Sequence, residues 1–193
     1  MAAAHPLPPS IDDFLVWEQR QEQRYELLDG LVVAMVGGTA DHNTIVLNIA
    51  AALRAALRGG PCRVFAESMK VVTAQAVMYP DVLVTCSPVE PKADAVLTPC
   101  VVVEVLSRST HEIDRGRKWL AYQQLETLQQ YVLVSQDEAR VEQYRRTNEG
   151  WSYRVLAGLE HEVSLPAGDP PVRLSLGEIY ESTSVLAPRS TGA

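Results

Sequence analysis

The chain has 193 residues, 47% hydrophobic and 21% charged, a balance that supports one folded domain and excludes a disordered or fibrous chain. A net charge of -7 excludes a protein that coats nucleic acid through bulk positive charge, because phosphate affinity comes from neutralising lysines and arginines. Any nucleic-acid contact must be local. Positive windows do exist, where Arg108, Arg115, Arg117 and Lys118 outweigh Glu112 and Asp114, and where Arg140, Arg145 and Arg146 outweigh Glu142. Solvated faces are the simpler explanation of such windows.

Met1 to Ser10 contains no Lys or Arg and no long apolar stretch, so it does not resemble a secretory signal, and apolar segments such as Thr44 to Leu53 are too short to span a bilayer. Cys62, Cys86 and Cys100 show no CxxC spacing, and two of them lie in or beside strongly apolar runs. They read as buried thiols in a reducing compartment. A soluble cytoplasmic protein without membrane contact is expected, with a flexible N-terminus over 1–9, one domain over 10–186 and a disordered tail over 187–193.

The elements follow in chain order, with no internal repeat. Ser10 is placed to cap a short helix over Ile11 to Gln23. Tyr25 to Leu28, Asp29-Gly30 and Leu31 to Val36 form the apolar, Asp-Gly, apolar pattern of a β-hairpin, with Glu26 on its first strand. From Asp41 to Arg58, Ile45, Ile49, Leu53 and Leu57 recur at helical spacing until Gly59-Gly60-Pro61 stops the helix. Three valine-rich strand candidates follow: Cys62 to Ala66 continuing through Met69 to Thr73, then Met78 to Cys86, then Cys100 to Ser107. Ser109 and Glu112 suggest a capping box ahead of a helix over Ile113 to Leu125. Strands are expected at Tyr131 to Ser135, Arg140 to Arg146 and Trp151 to Leu156, with a short apolar piece at Leu174 to Tyr180. This order predicts a mixed α/β architecture.

Two carboxylates stand out chemically. Val101 to Leu106 reads as a strand buried on both faces, with Glu104 in its middle. A carboxylate there must be protonated, paired with a cation or bound to a metal, since desolvating an ion costs several kcal/mol. Pairing with a structural Arg or Lys is the simpler explanation. Asp81, in Tyr79-Pro80-Asp81-Val82, has the same character on the preceding strand. Two carboxylates, a main-chain carbonyl such as that of Val105, and waters suit octahedral Mg²⁺ or Mn²⁺, which can activate water against a phosphodiester.

The order Pro80-Asp81, then Val103-Glu104-Val105, within helix, three strands, helix and strand, resembles the PD-(D/E)XK nuclease superfamily. Several segments resemble more closely its restriction-endonuclease-like branch, a bacterial family long catalogued as a domain of unknown function. These are Tyr25 to Gly30, His42-Asn43, Tyr79 to Val82, Val103 to Ser107 and Asp114 to Lys118. The resemblance covers about residues 10 to 180. It implies a restriction-endonuclease-like core with an N-terminal hairpin and C-terminal β additions, a divalent-metal site at Asp81 and Glu104, and DNA as substrate.

The superfamily pattern places a lysine two residues after the glutamate, a position held here by Leu106. Lys118, on the following helix, is the expected replacement, to orient the attacking water and stabilise developing charge. An Asp114 to Lys118 pair at i,i+4 spacing is the structural alternative. Lys70 is the second candidate lysine. Glu26 matches the branch's N-terminal glutamate and could serve the metal or its waters, while His42 and Arg115 are candidates for phosphate or water contacts. The expectation is a metal-dependent endonuclease, working as a homodimer. A catalytically silent DNA-binding or assembly module that keeps the fold is the alternative, motivated by Leu106 and the acidic charge. A third reading holds both carboxylates with arginines in a homodimer, purely for structure.

Overall fold

The computed structural model describes residues 10–107 and 110–186, so the expectations for the N-terminus, the Ser109 cap and the tail lie outside it. Helix α1 (Ile11–Glu18) starts where the Ser10 side chain accepts from the Asp13 amide. The hairpin pairs β1 (Tyr25–Leu28) with β2 (Leu31–Ala34). Its turn residues Asp29 (φ 51°) and Gly30 (φ 75°) both have the positive φ that a two-residue turn needs to match strand twist. Thr39 caps α2 (Ala40–Ala56), which buries Ile45, Ile49 and Leu53 as their spacing predicts.

The first two valine-rich segments each divide. Glu67 takes a positive φ of 57° between β3 (Arg63–Ala66) and β4 (Lys70–Val72). Pro80, which has no N–H for a ladder, lies between β5 (Ala76–Met78) and β6 (Val82–Thr85). Each split sends its halves into different sheets. A short β7 (Ala95–Val96), too brief to leave a sequence signal, precedes β8 (Val101–Leu106), whose six residues are all buried as the apolar run predicts.

The next helical stretch comprises α3 (His111–Ile113), a π-helical segment (Asp114–Lys118) and α4 (Trp119–Tyr122). It crosses over to β9 (Gln130–Ser135), parallel to β8. The chain then adds β10 (Arg140–Thr147), β11 (Gly150–Ala157), the pair β12 (Glu162–Leu165) and β13 (Val172–Ser175), and α5 (Leu176–Ile179).

One sheet has the order β2-β1-β5-β4-β7 and the other β11-β10-β9-β8-β6-β3. Alternation along the second sheet divides its side chains between two cores. Val82, Val84, Val101, Val103, Val105, Val132 and Val134 pack with α2, α5 and the β12–β13 pair. Leu83, Val102, Leu106, Tyr131 and Leu133 face Tyr122 of α4 and Leu28, Val71 and Met78 of the first sheet. Phe14 of α1 covers the outer side of that sheet with Leu27 and Val77. Among the described residues, no helix is long and apolar enough to cross a membrane.

One expectation is overturned. Cys62 and Cys86 are not thiols but form a disulfide, leaving Cys100 free. The pair sits just beyond the Arg63–Thr85 register of β3 and β6, a cross-strand proximity that spacing in the sequence cannot express.

Candidate active site

The register of β6 on β8 pairs Val82 with Val103, and continuing it by one residue puts Asp81 opposite Glu104. The Val105 amide donates to Asp81 Oδ2 at 2.6 Å, which holds that carboxylate against β8. Both carboxylates line one cavity of about 280 Å³, together with Glu26, His42, Val105, Asp114 and Lys118.

Lys118 reaches this cavity from the π-helical segment. Its Nζ lies 3.1 Å from Glu104 Oε1, 3.1 Å from Glu26 Oε1 and 3.3 Å from Asp114 Oδ1. Glu104 is 2% exposed and Lys118 5%, so these charges interact with little help from water. The helix carrying the lysine is held by aromatic packing: Trp119 stacks on Tyr144 at 4.1 Å between ring centroids, and Tyr131 donates its hydroxyl to the Asp114 carbonyl at 3.0 Å. Inside it, the π-helical turn presents Asp114 and Lys118 together to the cavity, and such turns recur at functional sites.

The pKa directions follow from crowding. Burial works against charge on Lys118, but Glu104, Glu26, Asp114 and Asp81 outweigh it and raise its pKa well above 10.5, keeping it an ammonium. Burial, then Asp81, Asp114 and Glu26, lift Glu104 well above 4.5 against the pull of Lys118. Burial also disfavours charge on His42, yet its hydrogen bond to Asp81 and the charges of Asp81 and Glu67 leave its pKa raised. Its Nε2 lies 3.4 Å from Asp81 Oδ2.

The remaining candidates separate. Glu26 enters the cluster on the lysine side, where its Oε1 also accepts the Tyr79 amide at 2.8 Å, so it holds Lys118 in place rather than facing Asp81. Lys70 does not reach the cavity. It is drawn into another network, 3.4 Å from the buried Glu18 Oε2 and 2.9 Å from the exposed Asp94 Oδ2, that ties α1 to the first sheet. Arg115 turns from the cavity to Glu142, at 2.7 Å, because consecutive helical residues point in different directions. Tyr122 was not singled out from the sequence, yet its hydroxyl donates to Glu104 Oε1 at 3.0 Å. Its position four residues after Lys118, hence on the same helix face, is the signal that could have found it.

Whether these residues suit a divalent cation is a question of donors and charge. Among the described residues no three His, Cys, Asp or Glu side chains gather as a metal cluster. With two carboxylates and a main-chain carbonyl as donors, an ion held here would keep most of its waters, as Mg²⁺ or Mn²⁺ do. Glu104 uses Oε1 for Lys118 and Tyr122, and Asp81 uses Oδ2 for the Val105 amide. The second oxygen of each is the one available as a hard ligand. Asp81, Glu104, Glu26 and Asp114 outnumber the cations Lys118 and Arg24 on the cavity wall, and a divalent cation would offset that excess.

This architecture and its buried carboxylate–lysine cluster define a restriction-endonuclease-like protein. Residues 11–176 match the Uma2 family model, described as "Putative restriction endonuclease", and the chain belongs to that family. It is 38% identical over 149 residues to an uncharacterized protein of Synechocystis sp., covering 75% of this chain and 78% of that one. A second uncharacterized protein of the same organism is 28% identical over 159 residues, or 78% and 89% of the two chains. A crystal structure from Anabaena variabilis, described as "a putative nuclease belonging to DUF820", superposes with a TM-score of 0.76 at 19% identity over 90% of this chain and 98% of that one.

Proposed function

We propose that the chain is a divalent-metal-dependent endonuclease that hydrolyses phosphodiester bonds of DNA. The observation that carries the reading is the convergence of Asp81, Glu104 and Lys118 on one cavity, with Lys118 Nζ 3.1 Å from Glu104 Oε1. A lysine from a helix thereby stands beside the glutamate although Leu106 occupies the strand position.

Asp81, Glu104 and the Val105 carbonyl would hold Mg²⁺ or Mn²⁺, which when bound lowers the pKa of water and offsets charge on the phosphate. Lys118 remains protonated among its carboxylates, so it orients the attacking water and stabilises negative charge rather than accepting a proton. Glu26 and Asp114 fix the ammonium, and Tyr122 fixes Glu104 Oε1. His42, on the cavity wall where α2 begins, is positioned to donate to a phosphate oxygen.

Calorimetric titration with Mn²⁺ tests the metal site, and incubation with plasmid and branched DNA tests the chemistry. Binding should be seen with the wild type and lost in Asp81→Asn and Glu104→Gln. Cleavage should require Mn²⁺ and fall by at least about a hundredfold in Lys118→Ala, the scale of losing one positioned electrostatic group. No Mn²⁺ binding to the wild type rejects the metal site. Salt-sensitive DNA binding without cleavage would instead identify a silent module.

A further inference from the structure

At the end of the second sheet away from Asp81, Cys62 precedes β3, Cys86 follows β6 and Cys100 precedes β8. Cys62 and Cys86 are joined, and the Cys100 Sγ lies 3.9 Å from the Cys86 Sγ. A free thiol in contact with a disulfide has the arrangement needed for exchange, in which a thiolate attacks one sulfur and the other leaves. The disulfide also borders a second cavity, about 860 Å³, whose wall includes Cys62, Cys86, Arg58 and Val172. A departing Cys62 sulfur therefore has room and access.

We infer that the three cysteines form a thiol–disulfide exchange centre whose alternative state presents Cys62 as a modifiable thiol in this cavity. The Cys100 thiol, which donates to the Val84 carbonyl at 3.3 Å, must first release that proton to solvent. The thiolate then attacks the Cys86 Sγ, a Cys86–Cys100 bond forms, and the Cys62–Cys86 bond breaks. Its electron pair leaves on the Cys62 Sγ, which takes up a proton. One disulfide and one thiol stand on each side, so no oxidant or reductant is consumed. The covalent link thereby moves from β3–β6 to β6–β8, joining the strand that follows Asp81 to the strand that carries Glu104.

Burial holds the Cys100 thiol above its ordinary pKa, so exchange is slow at neutral pH and accelerates in alkali. The test is labelling of the unreduced full chain with N-ethylmaleimide after incubation at about pH 7 and about pH 9, followed by tryptic peptide mass spectrometry. Cleavage after Arg63, Lys70 and Lys92 places the three cysteines on separate peptides. Label at Cys100 alone is expected at short times at neutral pH. Cys62 label and a Cys86–Cys100 cross-linked peptide should then appear up to about tenfold faster per pH unit below the thiol pKa. In Cys100→Ser, Cys62 should stay unlabelled. The inference is overturned by label confined to Cys100 at both pH values. Cys62 label undiminished in Cys100→Ser, or label on all three cysteines of the untreated protein, overturns it equally.

Discussion

Glu104 is held by competition between a buried ammonium and a crowd of carboxylates. Its pKa lies well above 4.5 because burial, Asp81, Asp114 and Glu26 outweigh Lys118. Between 4.5 and that raised value the folded state keeps a proton that the unfolded chain releases. The resulting stability is fully present below 4.5 and is lost as pH rises through the folded value. Calorimetric melting of metal-free protein should therefore show stability declining as pH increases through this window. Glu104→Gln should flatten the decline, leaving a shallower slope of the same sign from His42, whose raised pKa acts at higher pH. Parallel slopes in the two proteins would contradict the assignment. The existence of a costly carboxylate was legible in the run Val101 to Leu106, whereas the identity of its partners was not. Lys118 was one of two candidate lysines, and only helix packing separates it from Lys70.

The hairpin illustrates how much a local pattern can specify. Asp29-Gly30 between apolar runs demands two positive φ values, and the turn adopts them. Gly30→Val should destabilise the chain by roughly 1–2 kcal/mol through backbone conformation, the range for forcing a side chain into the left-handed region. No heavy atom lies within 4 Å of a Cβ built there, so crowding adds nothing. Urea unfolding measures it, and an unchanged midpoint would show the turn to be dispensable. Because β1 carries Glu26, the same substitution should loosen the contact to Lys118. The crossover helix was less legible. Its apolar spacing suggested an ordinary helix over Ile113 to Leu125, but the structured part runs from His111 to Tyr122 with a π-helical centre. Widening of a turn reflects Trp119 seated against Tyr144 and Lys118 seated against Glu104, contacts made by distant strands.

Across the whole molecule the charge of -7 opposes approach of a polyanion, so under the proposed function any affinity for DNA would rest on few cations and on a divalent ion. Arg24 and His42 line the cavity, while Lys118 is already surrounded by carboxylates. Fluorescence anisotropy should give weak DNA binding without divalent ions, strengthened by adding Ca²⁺ or Mn²⁺. The slope of log affinity against log salt should be shallower than about -4, corresponding to about four phosphate contacts or fewer. Tight, steeply salt-dependent binding in chelator would instead point to an extended basic surface.

What the sequence determined by itself is local or periodic: the Ser10 cap, the hairpin turn, α2, and the central position of β8 with its buried glutamate. Dihedral preference, capping and the alternation of apolar residues act over a few neighbours, so their effects can be read in one pass. Tertiary structure decided which distant groups meet. The β6–β8 register set Asp81 opposite Glu104, helix packing chose Lys118 and added Tyr122, and the β3–β6 pairing turned two expected thiols into a disulfide. Those outcomes depend on register and on the faces along which elements pack, and the spacing of residues along a chain carries neither.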